Sequence, residues 1–148
     1  MFLFLINLAI AHEPGIYAFW EKPPKVNICD NYINQEMVLK AIEHWKNLGH
    51  NIEGVYLRKN CVYETGSIYI RFSQEEVTET EYANTLSKWN PGSHLYKRAI
   101  INFGEEALNM QDIYTHELGH AFGYIHTQEE NHIMNGPKGP FDHLVYKK

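Results

Sequence analysis

Between residues 116 and 126 the chain reads His116-Glu117-Leu118-Gly119-His120-Ala121-Phe122-Gly123-Tyr124-Ile125-His126, and this segment constrains the fold more than any other. Residues four apart share one face of a helix, so His116 and His120 can aim two imidazoles at one point. Glu117 sits just off that axis, which suits a base acting on water and not a ligand. Gly123 takes a positive φ without penalty, so the helix can end and turn there. That turn lets His126 reach back toward the other two. Three neutral imidazoles leave a fourth position open for water, the arrangement of a catalytic zinc site. The competing reading is a surface helix with scattered histidines. Gly123 and His126 at these offsets argue against it.

The rest of the chain supplies a framework for that helix. Lys25 to Asp30 alternates and reads as a strand. Asn34 can cap a following helix, on which Val38, Ala41, Ile42, Trp45 and Leu48 fall at helical spacing before Gly49 supplies the stop. Glu53 to Lys59, Ser67 to Phe72 and Arg98 to Phe103 read as further strands, and Tyr82 to Trp89 can be extended. Asn109 is the expected start of the second helix, with Asp112 as a capping-box partner, and that helix runs to about Gly123. Strand, helix, strand implies an α/β layer whose first two strands are parallel. Their carboxyl ends then lie side by side, which places Cys29 and Cys61 where a disulfide could close.

Composition narrows the class. The 148 residues are 44% hydrophobic and 21% charged, enough apolar material for one core in one domain. The formal net charge of -5 offers no basic surplus for phosphates, so nucleic acid is not an expected partner. The one long apolar run, Met1 to Ala11, is too short to span a bilayer. It reads as a signal peptide with Ala9-Ile10-Ala11 as the cleavage pattern, although no Lys or Arg precedes it. The expected organisation is therefore a leader at 1–11 and one domain at 12–148, exported, with the two cysteines paired.

The HELGHAFGYIH segment matches the HExxHxxGxxH signature, and by it the chain resembles the metzincin zinc metalloproteases. Met134, in Asn131-His132-Ile133-Met134-Asn135, stands where metzincins carry the methionine of a tight turn beneath the metal. The distance from His126 to Met134 and the small hydroxyl residue Thr127 look most like the matrixins. KVNICDNY, IEHWKNLG, SIYIRF, and KWNPG followed by IINF resemble successive matrixin elements, so the likeness runs over about residues 17 to 137. It implies a twisted, five-stranded, mostly parallel sheet with an antiparallel edge strand, and two main helices. It also implies one catalytic zinc held by His116, His120 and His126, with Glu117 as general base toward zinc-activated water. An extended peptide would add to the edge strand, here Tyr82-Ala83-Asn84-Thr85-Leu86. Asp112 and Pro137 would help line the pocket on the leaving-group side. For Asp112, helix capping competes with that role and is the favoured reading.

Departures from the family pattern carry their own expectations. Gln74-Glu75-Glu76 and Asn102 stand where matrixins place structural-zinc ligands, so no structural zinc is expected. Glu105 and Glu106 are candidates for calcium, but a solvated acidic turn is the expected reading. Asn135-Gly136-Pro137 follows Met134, so no tyrosine oxyanion donor is expected from that turn. With 14 residues after Met134, the usual C-terminal helix is expected to be reduced, and Phe141, Leu144, Val145 and Tyr146 are available to finish the domain.

The leading expectation is a secreted, monomeric, zinc-dependent endopeptidase acting on protein or peptide substrates. Two alternatives stand beside it. One is a zinc-bound peptide-binding module with little or no turnover. The other is a processing or toxin protease with a single target.

Overall fold

The computed structural model describes residues 16, 18–136 and 145–147. Strand β1 (Lys25–Ile28) leads into helix α1 (Gln35–Asn47), which crosses over to β2 (Gly54–Leu57). Strands β3 (Ser67–Phe72), β4 (Glu81–Trp89) and β5 (Tyr96–Phe103) follow, then helix α2 (Gln111–Ala121) and a last strand β6 (Val145–Lys147). The sheet order is β2-β1-β3-β5-β4-β6. Strands β2, β1, β3 and β5 are parallel neighbours, and β4 runs antiparallel to β5. This is the mixed, mostly parallel α/β sheet expected from the sequence.

Two expectations are corrected. Strand β4 is not an open edge along its whole length, because β6 pairs with it antiparallel at Glu81, Ala83 and Asn84. The residues after Met134 thus contribute a sixth strand, and a free row of backbone groups on β4 is partly satisfied within the chain. The second helix begins at Gln111 and not at Asn109. A 3-10 turn at Glu105–Ala107 occupies the approach, and the carbonyl of Met110 accepts from Ile113 N–H at 3.0 Å to open the helix. No side chain caps that end, so Asp112 forms no capping box. At the first helix the expected cap is present: Asn34 Oδ1 accepts from Met37 N–H at 3.2 Å. Gly49 follows with φ 94°.

One core lies between the two helices and the sheet. Val38, Ala41, Ile42 and Trp45 of α1 meet Ile113, Tyr114, Leu118 and Ala121 of α2, over Val26, Ile28, Ile68, Ile70 and Ile101 of the sheet. Trp45 locks the two helices together, its indole N–H donating to Thr115 O at 2.7 Å. Tyr114 stacks on Phe103 with ring centroids 4.2 Å apart and donates its hydroxyl to Leu108 O. Cys29 and Cys61, at the carboxyl ends of β1 and β2, form a disulfide with their Cα atoms 5.3 Å apart. No helix among the described residues is long and apolar enough to cross a membrane.

Candidate metal centre and catalytic cleft

Helix α2 is set by its neighbours before it carries any chemistry. Its last carbonyls lack helical partners. Trp20 Nε1–H reaches Ala121 O at 2.8 Å and the Tyr96 hydroxyl reaches His120 O at 2.9 Å, so two aromatic side chains serve as donors there. Gly119 faces Trp45 and Met134 so closely that a Cβ would lie 2.4 Å from Met134 Sδ. Gly123 adopts φ 101°, and a Cβ there would lie 2.1 Å from the carbonyl oxygen of Ala18. Both the turn and the passing backbone therefore require glycine.

That turn returns the chain to the helix. His116, His120 and His126 are all buried, and their Nε2 atoms form a near-equilateral triangle with edges of 2.9, 3.1 and 3.1 Å. The protonation of two rings follows from their other nitrogens. His116 Nδ1 lies 2.6 Å from Ile133 O and His120 Nδ1 lies 2.8 Å from Tyr124 O. A carbonyl can only accept, so each Nδ1 carries the hydrogen and each Nε2 presents a lone pair. The His116–His120 edge is then two lone pairs face to face, which no hydrogen bond can hold. A cation that accepts neutral nitrogen relieves this repulsion, and zinc suits a three-imidazole set with one position left over. Burial holds the His116 imidazole well below its ordinary value, at about 3, so it is neutral and ready to bind near pH 7.

The loop beneath the triangle is tied to it. Thr127 N–H donates to Met134 O at 2.9 Å and Gly136 N–H donates to Thr127 O at 3.2 Å. Met134 is fully buried against Gly119. A Cβ on Gly136 would fall 2.8 Å from the His126 ring, so this glycine permits the loop to pass the third imidazole.

Glu117 is fully buried and lies outside the three-nitrogen cluster. Its Oε2 is 2.6 Å from Thr85 Oγ1 on β4, and Thr85 Oγ1 is also 3.0 Å from the Glu117 carbonyl oxygen. Its Oε1 is buried without a hydrogen-bond partner among the described residues. Burial pushes the carboxyl up to about 8, against the Thr85 hydrogen bond that lowers it, and the charge of Glu81 adds to the rise. The Thr85 hydroxyl is thus seated against both the side chain and the backbone carbonyl of Glu117, with Oε2 as the nearer acceptor.

The five residues of β4 singled out from the sequence do not act as one lining. Side chains alternate along a strand, so Thr85 and the buried Ala83 face α2. Asn84 faces the other way, where its amide donates to Glu76 O at 2.6 Å and its Oδ1 accepts from Asn102 at 2.9 Å. Arg71 Nε donates to Asn102 Oδ1 at 2.6 Å and extends this network. Asn102, which the family comparison placed at a metal position, is engaged by amide and guanidinium groups. Leu86 is exposed and Tyr82 half-buried. Asp112 lines a cavity of about 350 Å³ together with His116, Asn131, His132, Ile133 and Asn135. Pro137, Phe141 and Leu144, like the leader at 1–11, lie outside the described residues. The Thr85–Glu117 contact was not foreseen; an inward-facing threonine on a strand announces no partner until the helix is docked on it.

No family model matches the chain, and no curated protein matches it. Among solved structures it is similar to the crystal structure of metalloproteinase-II from Bacteroides fragilis, with 14% sequence identity and a TM-score of 0.43. That likeness covers 82% of this chain and 49% of the other, so the chain spans about half of that protein's length.

Proposed function

We propose that this chain is a secreted zinc-dependent endopeptidase of matrixin-like type, a single catalytic domain over residues 12–148. The observation that supports it best is the triangle of imidazole nitrogens beside a helix-borne carboxyl group. His116, His120 and His126 would hold the metal, which when bound supplies Lewis acidity toward a carbonyl oxygen and lowers the pKa of water at the site.

The chain's own residues do the rest. Ile133 O and Tyr124 O hold the tautomers that keep two ligand lone pairs pointed inward. Glu117 accepts the proton of the attacking water and returns it to the leaving amine. Met134 and Gly119 fill the space beneath the ligands and keep the loop rigid. Strand β4 offers backbone groups to an extended peptide; beyond Asn84, no described strand pairs with that side of it. Asp112, free of a capping bond and set in the cavity beside His116, favours a basic or polar substrate side chain on the leaving-group side.

A second reading also has an observation in its favour. The complete burial of Glu117 and its bond to Thr85 suit a zinc-bound module that holds a peptide without turning it over. Cleavage of a mixed quenched-fluorescent peptide library by the zinc-loaded chain, beside Glu117→Ala, separates the two. The alanine variant keeps its zinc because Glu117 is not a ligand. Cleavage by wild type that vanishes in the variant supports the peptidase. Silence from both, with zinc bound and the fold intact, moves the assignment to the binding module or to a protease with one target.

A further inference from the structure

The strand expected to receive the peptide also grips the expected base. Thr85 is fully buried on β4, one residue beyond Asn84, and its hydroxyl is the one group among the described residues within hydrogen-bonding distance of the Glu117 carboxyl. We infer that Thr85 is a positioning residue for Glu117, holding the carboxyl group in one orientation on helix α2. This rests on the peptidase reading above and names a component that reading lacks.

The chemistry follows from what a hydroxyl can do. A hydroxyl can donate to a carboxyl oxygen. Thr85 Oγ1 donates to Oε2 across the 2.6 Å contact, which leaves Oε1, without a partner among the described residues, as the oxygen free to accept a proton. The same hydroxyl lies 3.0 Å from Glu117 O, so it is seated against the side chain and the backbone of one residue. A valine of similar shape cannot donate. The placement also couples substrate to base. The backbone hydrogen bonds a peptide would make along β4 and the grip on Glu117 belong to one strand, so a peptide registered on β4 is registered against the carboxyl.

The test compares Thr85→Val with Thr85→Ser in the full zinc-loaded chain. General acid–base catalysis contributes about 10²–10⁴-fold, and a base held loosely forfeits part of it. Valine should lower kcat about tenfold to a hundredfold with KM unchanged, and serine should restore it to within about threefold. A valine variant with native zinc content and wild-type kcat would overturn the inference. So would a serine variant of native stability and zinc content that fails to restore kcat. If Thr85→Val does not fold, Thr85→Ala takes its place, since a smaller side chain always fits the site. A second readout needs no turnover. The infrared band of Glu117, carboxyl or carboxylate, is assigned in the zinc-loaded chain as the band missing in Glu117→Gln. It should move in Thr85→Val or Thr85→Ala and stay in Thr85→Ser. An unmoved band ends the proposal. A moved band in a chain that cleaves no peptide leaves the hydrogen bond standing and removes the peptidase reading instead.

Discussion

Glu117 is a carboxyl group with no solvent-exposed surface, so its neutral form is favoured in the metal-free chain. Its folded value near 8 lies above the ordinary 4.5. The stability it contributes is therefore fully present below about pH 4.5 and is lost as pH rises toward 8. His116 has the opposite sign. Its folded value near 3 lies below 6.5, so its contribution is present above 6.5 and is lost as pH falls toward 3. The two oppose each other between 4.5 and 6.5, and above 6.5 only Glu117 acts. Metal-free protein should lose stability between pH 6.5 and 8, by at most about 1.4 kcal/mol per pH unit. Glu117→Gln should show a flat profile there, and denaturant melts across that range check it. A second residue-scale prediction concerns Gly123. Its positive φ and the Ala18 carbonyl leave no room for a methyl group. Gly123→Ala should destabilise the fold by about 1–3 kcal/mol and weaken zinc binding by displacing His126, measured by chemical denaturation and competitive chelation.

At the scale of elements, β6 decides how much of β4 a peptide can reach. It pairs with Glu81, Ala83 and Asn84, next to the residue that contacts Glu117, so it occupies part of the surface a bound peptide would use. Successive N–H groups of an antiparallel strand point to opposite sides, so replacing both Val145 and Tyr146 by proline removes whichever one donates to β4. Hydrogen exchange at the backbone amides of residues 81–84 should rise in that double variant. If about one molecule in ten has the edge open in the native chain, peptide affinity should rise about tenfold. Unchanged exchange would show that β6 does not shield β4 in solution. Helix α2 is the other decisive element. Few of its residues face water, its middle is held by Trp45, and its C-terminal end is held by Trp20 and Tyr96. Two of the three proposed ligands, His116 and His120, thus stand on a braced element, which favours preorganised coordination.

At the scale of the whole molecule, the disulfide spans 32 residues and encloses α1, β2 and the loop after it. Closing a loop of that length restricts the unfolded chain by about 3–4 kcal/mol. Cys29→Ser/Cys61→Ser should lower the denaturation midpoint by a corresponding amount. Zinc stoichiometry at saturating metal should be unchanged, because the bond is remote in sequence from all three ligands. Loss of zinc binding in a folded double variant would contradict this. The disulfide is also consistent with the export we propose, since such bonds persist in oxidising compartments.

The sequence by itself determined the parts whose physics is local. The histidine spacing is a property of one helical turn and one glycine, so the clustering of His116, His120 and His126 was legible without any other tertiary contact. The Asn34 cap, the Gly49 stop and the apolar stripe from Val38 to Trp45 were legible for the same reason. Helix α2 shows the limit: Asn109 and Asp112 had the right chemistry for a cap, but the preceding 3-10 turn used that stretch first. Only the tertiary structure decided the long-range choices. Asn84 turns away from helix α2, Thr85 turns toward it, and β6 lies against β4. Each depends on which strands come together and with what register, and a shift of one residue would exchange the faces. A hydroxyl 32 residues away in sequence can hold the Glu117 carboxyl only after sheet and helix have packed.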